Sequence, residues 1–115
     1  MEILKLDLIE GKEIKEYQSD FFLANVLQLN GKTNMGFLKI GKEGKVGYHQ
    51  ATASQWLLIL EGTGIVRGEK NKAVSVDAGD LIFWKKDEWH ETQSEKGMKA
   101  IVIESEDSNF PADTD

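Results

Sequence analysis

The sequence predicts an all-β fold, a single domain built as a sandwich or barrel of short strands. Turn signals recur roughly every 8–12 residues, the spacing of such folds. No segment sustains the 3.6-residue period of an amphipathic helix. The segment Gln55 to Leu60 is apolar on both faces, with Leu57 and Ile59 on one and Trp56, Leu58 and Leu60 on the other. A strand buried on both sides belongs inside a covered layer.

The elements follow in order. Ile3 to Ile9 alternates loosely and reads as a strand, and Glu10 to Tyr17 is the best helical candidate, short and highly charged. Phe21 to Leu29 reads as a strand closed by Asn30-Gly31, a pair favoured in tight hairpins because both positions tolerate positive φ. Met35 to Ile40, Val46 to Ala51 and Gln55 to Leu60 come next, with "EGTG" as a turn into Ile65 to Arg67. "GEKNK" turns the chain into Ala73 to Val76, and Asp77-Ala78-Gly79-Asp80 turns it into Leu81 to Trp84. Met98 to Ile103 is the last strand, and the acidic "ESEDSNFPADTD" reads as a loosely held tail.

At 115 residues the chain is one domain and large enough to bury a core. It contains no cysteine, which excludes disulfides, thiolate chemistry and cysteine-based metal sites. A net charge of −6, with lysines scattered among acids, argues against nucleic acid as a partner. The longest apolar run, Trp56 to Leu60, is far short of the ~20 residues of a membrane span. The start "MEILKLDLIEGKE" lacks a basic region followed by an apolar stretch, so a cytoplasmic location is expected.

Two glycine motifs fail on their context. Gly31-Lys32-Thr33 resembles the end of a phosphate-binding loop, but Val26 stands where that loop needs glycine and a strand follows. Gly62, Gly64 and Gly68 approach a dinucleotide fingerprint, but the last spacing is too long and no helix follows.

Two histidines remain, His49 in "GYHQATASQWLLILEG" and His90 in "GDLIFWKKDEWHETQS". From Gly44 to Ser94 these segments resemble the two motifs of the cupin superfamily. His49 stands at the first His of the first motif, Ala51 at the second His, Gln55 at the Glu and Gly62 at the closing Gly, with Gly44 one residue off the upstream Gly. In the second motif Gly79 and His90 match, while Lys85, Asp87 and Ser94 replace the Pro, Gly and Asn.

The resemblance implies a double-stranded β-helix, the cupin or jelly-roll barrel, over residues 1–104, with 105–115 as the acidic tail. It implies a pocket holding His49, Ala51, Gln55 and His90, with Leu57 and Trp84 in its lining. Further aromatic lining is expected from among Phe37, Trp56, Phe83 and Trp89. A cupin metal has three imidazoles and one carboxylate, suited to divalent nickel, zinc, iron or manganese. Here Ala51 removes one nitrogen donor, and Gln55 keeps an oxygen without its charge. His49, Gln55 and His90 are the remaining ligand candidates. No acid compensates in the sequence, since Glu61 lies ~20 Å along the strand from Gln55.

The expected function is therefore small-molecule binding in a His-containing pocket with metal optional and weak. A metal-dependent dioxygenase or isomerase is one alternative, and a metal-free isomerase or lyase using His49 or His90 as base is another. The apolar face of Trp56, Leu58 and Leu60 leads to the expectation of a homodimer.

Overall fold

Ten strands fill the computed structural model, which describes residues 1–70 and 72–109. They are β1 (Glu2–Lys5), β2 (Lys12–Ile14), β3 (Phe21–Leu23), β4 (Gln28–Ile40), β5 (Gly44–Gln50), β6 (Ser54–Arg67), β7 (Ala73–Asp77), β8 (Asp80–Trp84), β9 (Trp89–Ser94) and β10 (Met98–Asn109). Among the described residues no α-helix occurs, and none of their helices is long and apolar enough to cross a membrane. The all-β expectation holds, and the barrel is a jelly roll.

One layer runs β1-β8-β6-β10-β4 and the other runs β7-β6-β9-β5; all pairings are antiparallel. β6 belongs to both layers. Its first half pairs with β8 and β10 and its second half with β7 and β9. The strand turns this corner near Gly62, whose φ of +88° suits glycine, and a Cβ there would collide with the Gly97 carbonyl oxygen.

Alternation sorts the β6 side chains. Leu57, Ile59 and Val66 point between the layers, where they pack with Ile40, Val76, Ile82, Trp84, Met98 and Ala100. Burying each such large aliphatic side chain stabilises the fold by about 1.5–3 kcal/mol. Trp56 points the other way, into a second cluster with Leu81 and Phe83.

That second cluster corrects an expectation. Trp56 is fully buried by its own chain, under β1, the turn at Leu6 and the stretch containing Val26, Leu27 and Leu29. Leu58 is half-buried in the same cluster, and of the expected dimer face only Leu60 is exposed.

Other local expectations also change. Asn30-Gly31 makes no hairpin. It lies inside β4, where Gly31 has φ +80° and the register against β10 slips between Ser105 and Asp107, so the pair forms a bulge. "EGTG" is likewise part of continuous β6. The first expected strand ends at Lys5 and passes into a 3-10 turn, Leu6–Leu8. Glu10 to Tyr17 holds β2 and part of a second 3-10 turn, Glu16–Gln18, in place of a helix. Phe21 to Leu29 divides between β3 and the start of β4.

The barrel does not end at residue 104 as expected. β10 continues to Asn109, paired with β4 from Asp107↔Asn30 to Asn109↔Gln28. The rest of the expected tail, 110–115, lies outside the described residues.

Candidate functional site

β5 and β9 bring the two histidines together. His49 and His90 are direct cross-strand partners, so their side chains leave the sheet on one face. Their ring centroids are 4.4 Å apart at a 52° tilt. His90 is buried and stacked against Trp84 at 4.5 Å, while His49 is exposed.

Main-chain carbonyls hold both rings. His49 Nδ1 lies 2.7 Å from the Gly47 oxygen, and His90 Nδ1 lies 3.3 Å from the Glu88 oxygen. A carbonyl only accepts, so each Nδ1 carries the proton, and in a neutral ring Nε2 keeps its lone pair. Burial pushes the His90 pKa below its ordinary value. The hydrogen bond to the Glu88 carbonyl opposes it as the next largest effect, the neighbouring His49 acts with burial, and the Glu88 and Glu104 charges oppose both more weakly.

The Glu88 carbonyl also accepts from the Ala51 N–H at 2.9 Å, and the Ala51 carbonyl accepts from the Asp87 N–H at 2.9 Å. The Lys85–Glu88 turn is thereby tied to the end of β5. Asp87 adopts φ +74°, so the left-handed conformation survives at a motif position that cupins give to glycine. Ser94, at the motif's Asn position, donates to the Thr63 carbonyl at 2.6 Å and accepts from the Gly97 N–H at 2.9 Å.

Gln55 lies on the same interior face as Trp84, opposite it on β8 and opposite Glu104 on β10. Its Nε2 donates to Glu104 Oε1 at 2.8 Å. Glu104 was not foreseen as a site residue, and it supplies the carboxylate that the motif comparison could not find. The signal was present in alternation along β10: Met98, Ala100 and Val102 face inward, and Glu104 is the next inward position.

The remaining expected positions divide clearly. Ala51 is buried beside the turn, and Leu57 lies in the core beneath the site. Trp84 is the aromatic wall, and its Nε1–H is buried without a hydrogen-bond partner among the described residues. The other expected aromatics do not line the pocket. Phe37 is exposed, Trp56 and Phe83 stack together in the outer cluster, and Trp89 lies on Tyr48 at the surface.

These donors do not match a three-imidazole, one-carboxylate metal centre. Two imidazoles are present, and the Gln55 amide is committed to Glu104. Among the described residues no group of three or more His, Cys, Asp or Glu is placed to hold a metal ion.

A model of the cupin domain matches residues 36–104, more than half of the chain. The chain belongs to the cupin family. Solved cupin structures share the fold at low identity. A cupin superfamily protein from Desulfitobacterium hafniense is 17% identical with a TM-score of 0.62, over 90% of each chain. A conserved protein of unknown function from Streptococcus pyogenes is 11% identical, TM-score 0.61, over 72% of this chain and 76% of that one. A cupin-2 domain protein from Shewanella frigidimarina is 14% identical, TM-score 0.56, over 69% of this chain and 78% of that one. No curated protein matches the sequence. In this cupin the carboxylate bonded to Gln55 comes from β10.

Proposed function

We propose that this cupin binds a small polar molecule at the barrel mouth, between the His49–His90 pair and the Gln55–Glu104 pair, and holds a divalent metal weakly or not at all. The observation that carries this reading is the placement of each Nδ1 against a main-chain carbonyl oxygen, at 2.7 Å for His49 and 3.3 Å for His90. With Nδ1 donating to main-chain carbonyls, both Nε2 atoms are acceptors for hydroxyl or amino hydrogens of a ligand. The half-buried Glu104 carboxylate adds an anionic acceptor, and the Trp84 ring adds an apolar wall. A few convergent polar groups over an apolar floor make a small-molecule site.

The test uses protein labelled with 15N-histidine, whose two side chains give separately assignable signals. It is titrated with a panel of sugars, hydroxy acids and amino acids, and separately with zinc and nickel. Movement of both Nε2 resonances by a panel member supports the reading. Submicromolar metal binding would replace it with the metal-dependent alternative, and a panel that leaves both rings unmoved would overturn it.

A further inference from the structure

The end of the barrel away from the histidines carries a cavity of about 450 Å³, where the end of β4, the corner of β6 and the start of β10 meet. The β5–β9 pair runs from His49↔His90 at one end to Gly44↔Ser94 at the other, so about 13 Å of strand separates the two regions. This second region uses no residue of the barrel mouth. Its floor is apolar: Ile40 and Met98 are cross-strand partners, and both are buried. Main chain at Gly41, Gly62 and Gly97 forms its walls, so no side chain fills the space there.

The rim is cationic in a chain whose net charge is −6. Lys39 and Lys99 stand directly opposite each other on β4 and β10, and Lys96 comes from the turn before β10. Like charges in direct cross-strand register destabilise a sheet. One acid, Glu61, joins the described lining and pairs with Lys99 at 3.3 Å, but both side chains are well exposed and such a pair is weak. Among the described residues neither Lys39 nor Lys96 makes an ion pair. Unneutralised ammonium groups around a recessed apolar floor concentrate anions there.

We infer that this cavity binds a small carboxylate carrying a short hydrocarbon chain. The carboxylate oxygens accept from the Lys39 and Lys96 ammonium groups, and the hydrocarbon lies on Met98 and Ile40. The lysine pair costs the empty protein stability and gains its counterion when the anion enters. The apolar floor selects against a bare inorganic anion, and the charge of the rim selects against an amine.

The chain has three methionines, Met1, Met35 and Met98, so 13C-methyl-methionine protein gives three signals, one of them from the cavity floor. Titration with sodium hexanoate should move the Met98 signal to saturation with a Kd below about 1 mM. Met1, Met35 and the ring nitrogens of His49 and His90 should stay in place. Hexylamine, with the same chain and the opposite charge, should leave Met98 unmoved, and inorganic phosphate should bind at least about fivefold more weakly than hexanoate. Lys96→Gln and Lys39→Glu should each weaken hexanoate binding at least about fivefold. Lys39→Glu should also raise the melting temperature of the free protein, because it turns a repulsive cross-strand pair into an attractive one. A Met98 signal unmoved at about 20 mM hexanoate, an equal response to hexylamine or phosphate, or full affinity in either lysine variant would each overturn the inference.

Discussion

Gln55 donates a 2.8 Å hydrogen bond to Glu104, its cross-strand neighbour, inside the barrel mouth. A neutral amide satisfies a carboxylate where the family's metal ligand would add a second negative charge. Gln55→Glu should therefore destabilise the metal-free protein by about 1–3 kcal/mol at neutral pH, because two adjacent carboxylates cannot both stay ionised at no cost. The same substitution, beside two imidazoles, supplies the oxygen ligands zinc lacks in the parent. Thermal melts in EDTA and in excess zinc should show a lower midpoint in the first and recovery above it in the second, with little zinc response in the parent.

Burial and the facing His49 lower the pKa of His90 in the folded chain relative to 6.5. The unfolded chain then binds the proton more readily. The stability contributed by neutral His90 is complete above pH 6.5 and falls as the pH drops below it, until the folded ring also protonates. Denaturant titrations from pH 8 to pH 5 should show this loss. His90→Gln should flatten the profile over that window while lowering stability at pH 8.

Asp87 holds a left-handed conformation at φ +74°. Glycine adopts it without cost, so Asp87→Gly should stabilise the protein by a few tenths to about 1 kcal/mol. Differential scanning calorimetry would read this as a midpoint raised by a few degrees.

Gly62→Ala should have the opposite effect and a larger one. Its Cβ would enter the space of the Gly97 carbonyl at a φ of +88°. The cost should exceed about 2 kcal/mol, whereas Gly31→Ala, with open space around the added carbon and a similar φ, should lose less. Chemical denaturation of the two variants side by side makes the comparison.

Much of this site was legible in the sequence. The motif positions of His49 and His90 placed them together, and alternation put Gln55 with Leu57 and Ile59 on the interior face. Glu104 was obscured because its charge, read locally, belongs with the acidic residues that follow it. Only the pairing of β10 with β6 turns it inward. Asn30-Gly31 and the glycines after Leu60 misled for a common reason. Positive φ serves a bulge as well as a turn, and the neighbouring strand decides which forms. Trp56 and Leu58 marked an apolar face correctly, but their cover comes from β1 and the stretch before β4, a long-range contact that periodicity does not carry.

β6 has a further consequence, for how the molecule unfolds. Because it hydrogen-bonds to β8 and β10 over one half and to β7 and β9 over the other, neither layer can open while leaving its neighbour intact. Amide exchange along β6 should occur only through global opening, at one common free energy on both sides of Gly62. Apart from the local β6–β7 hairpin, these pairings join residues distant in the chain, so closure of the barrel should be slow, on the millisecond-to-second scale of non-local β topologies. A ligand gripping the mouth would then slow hydrogen exchange at the far end of the barrel as much as at its own.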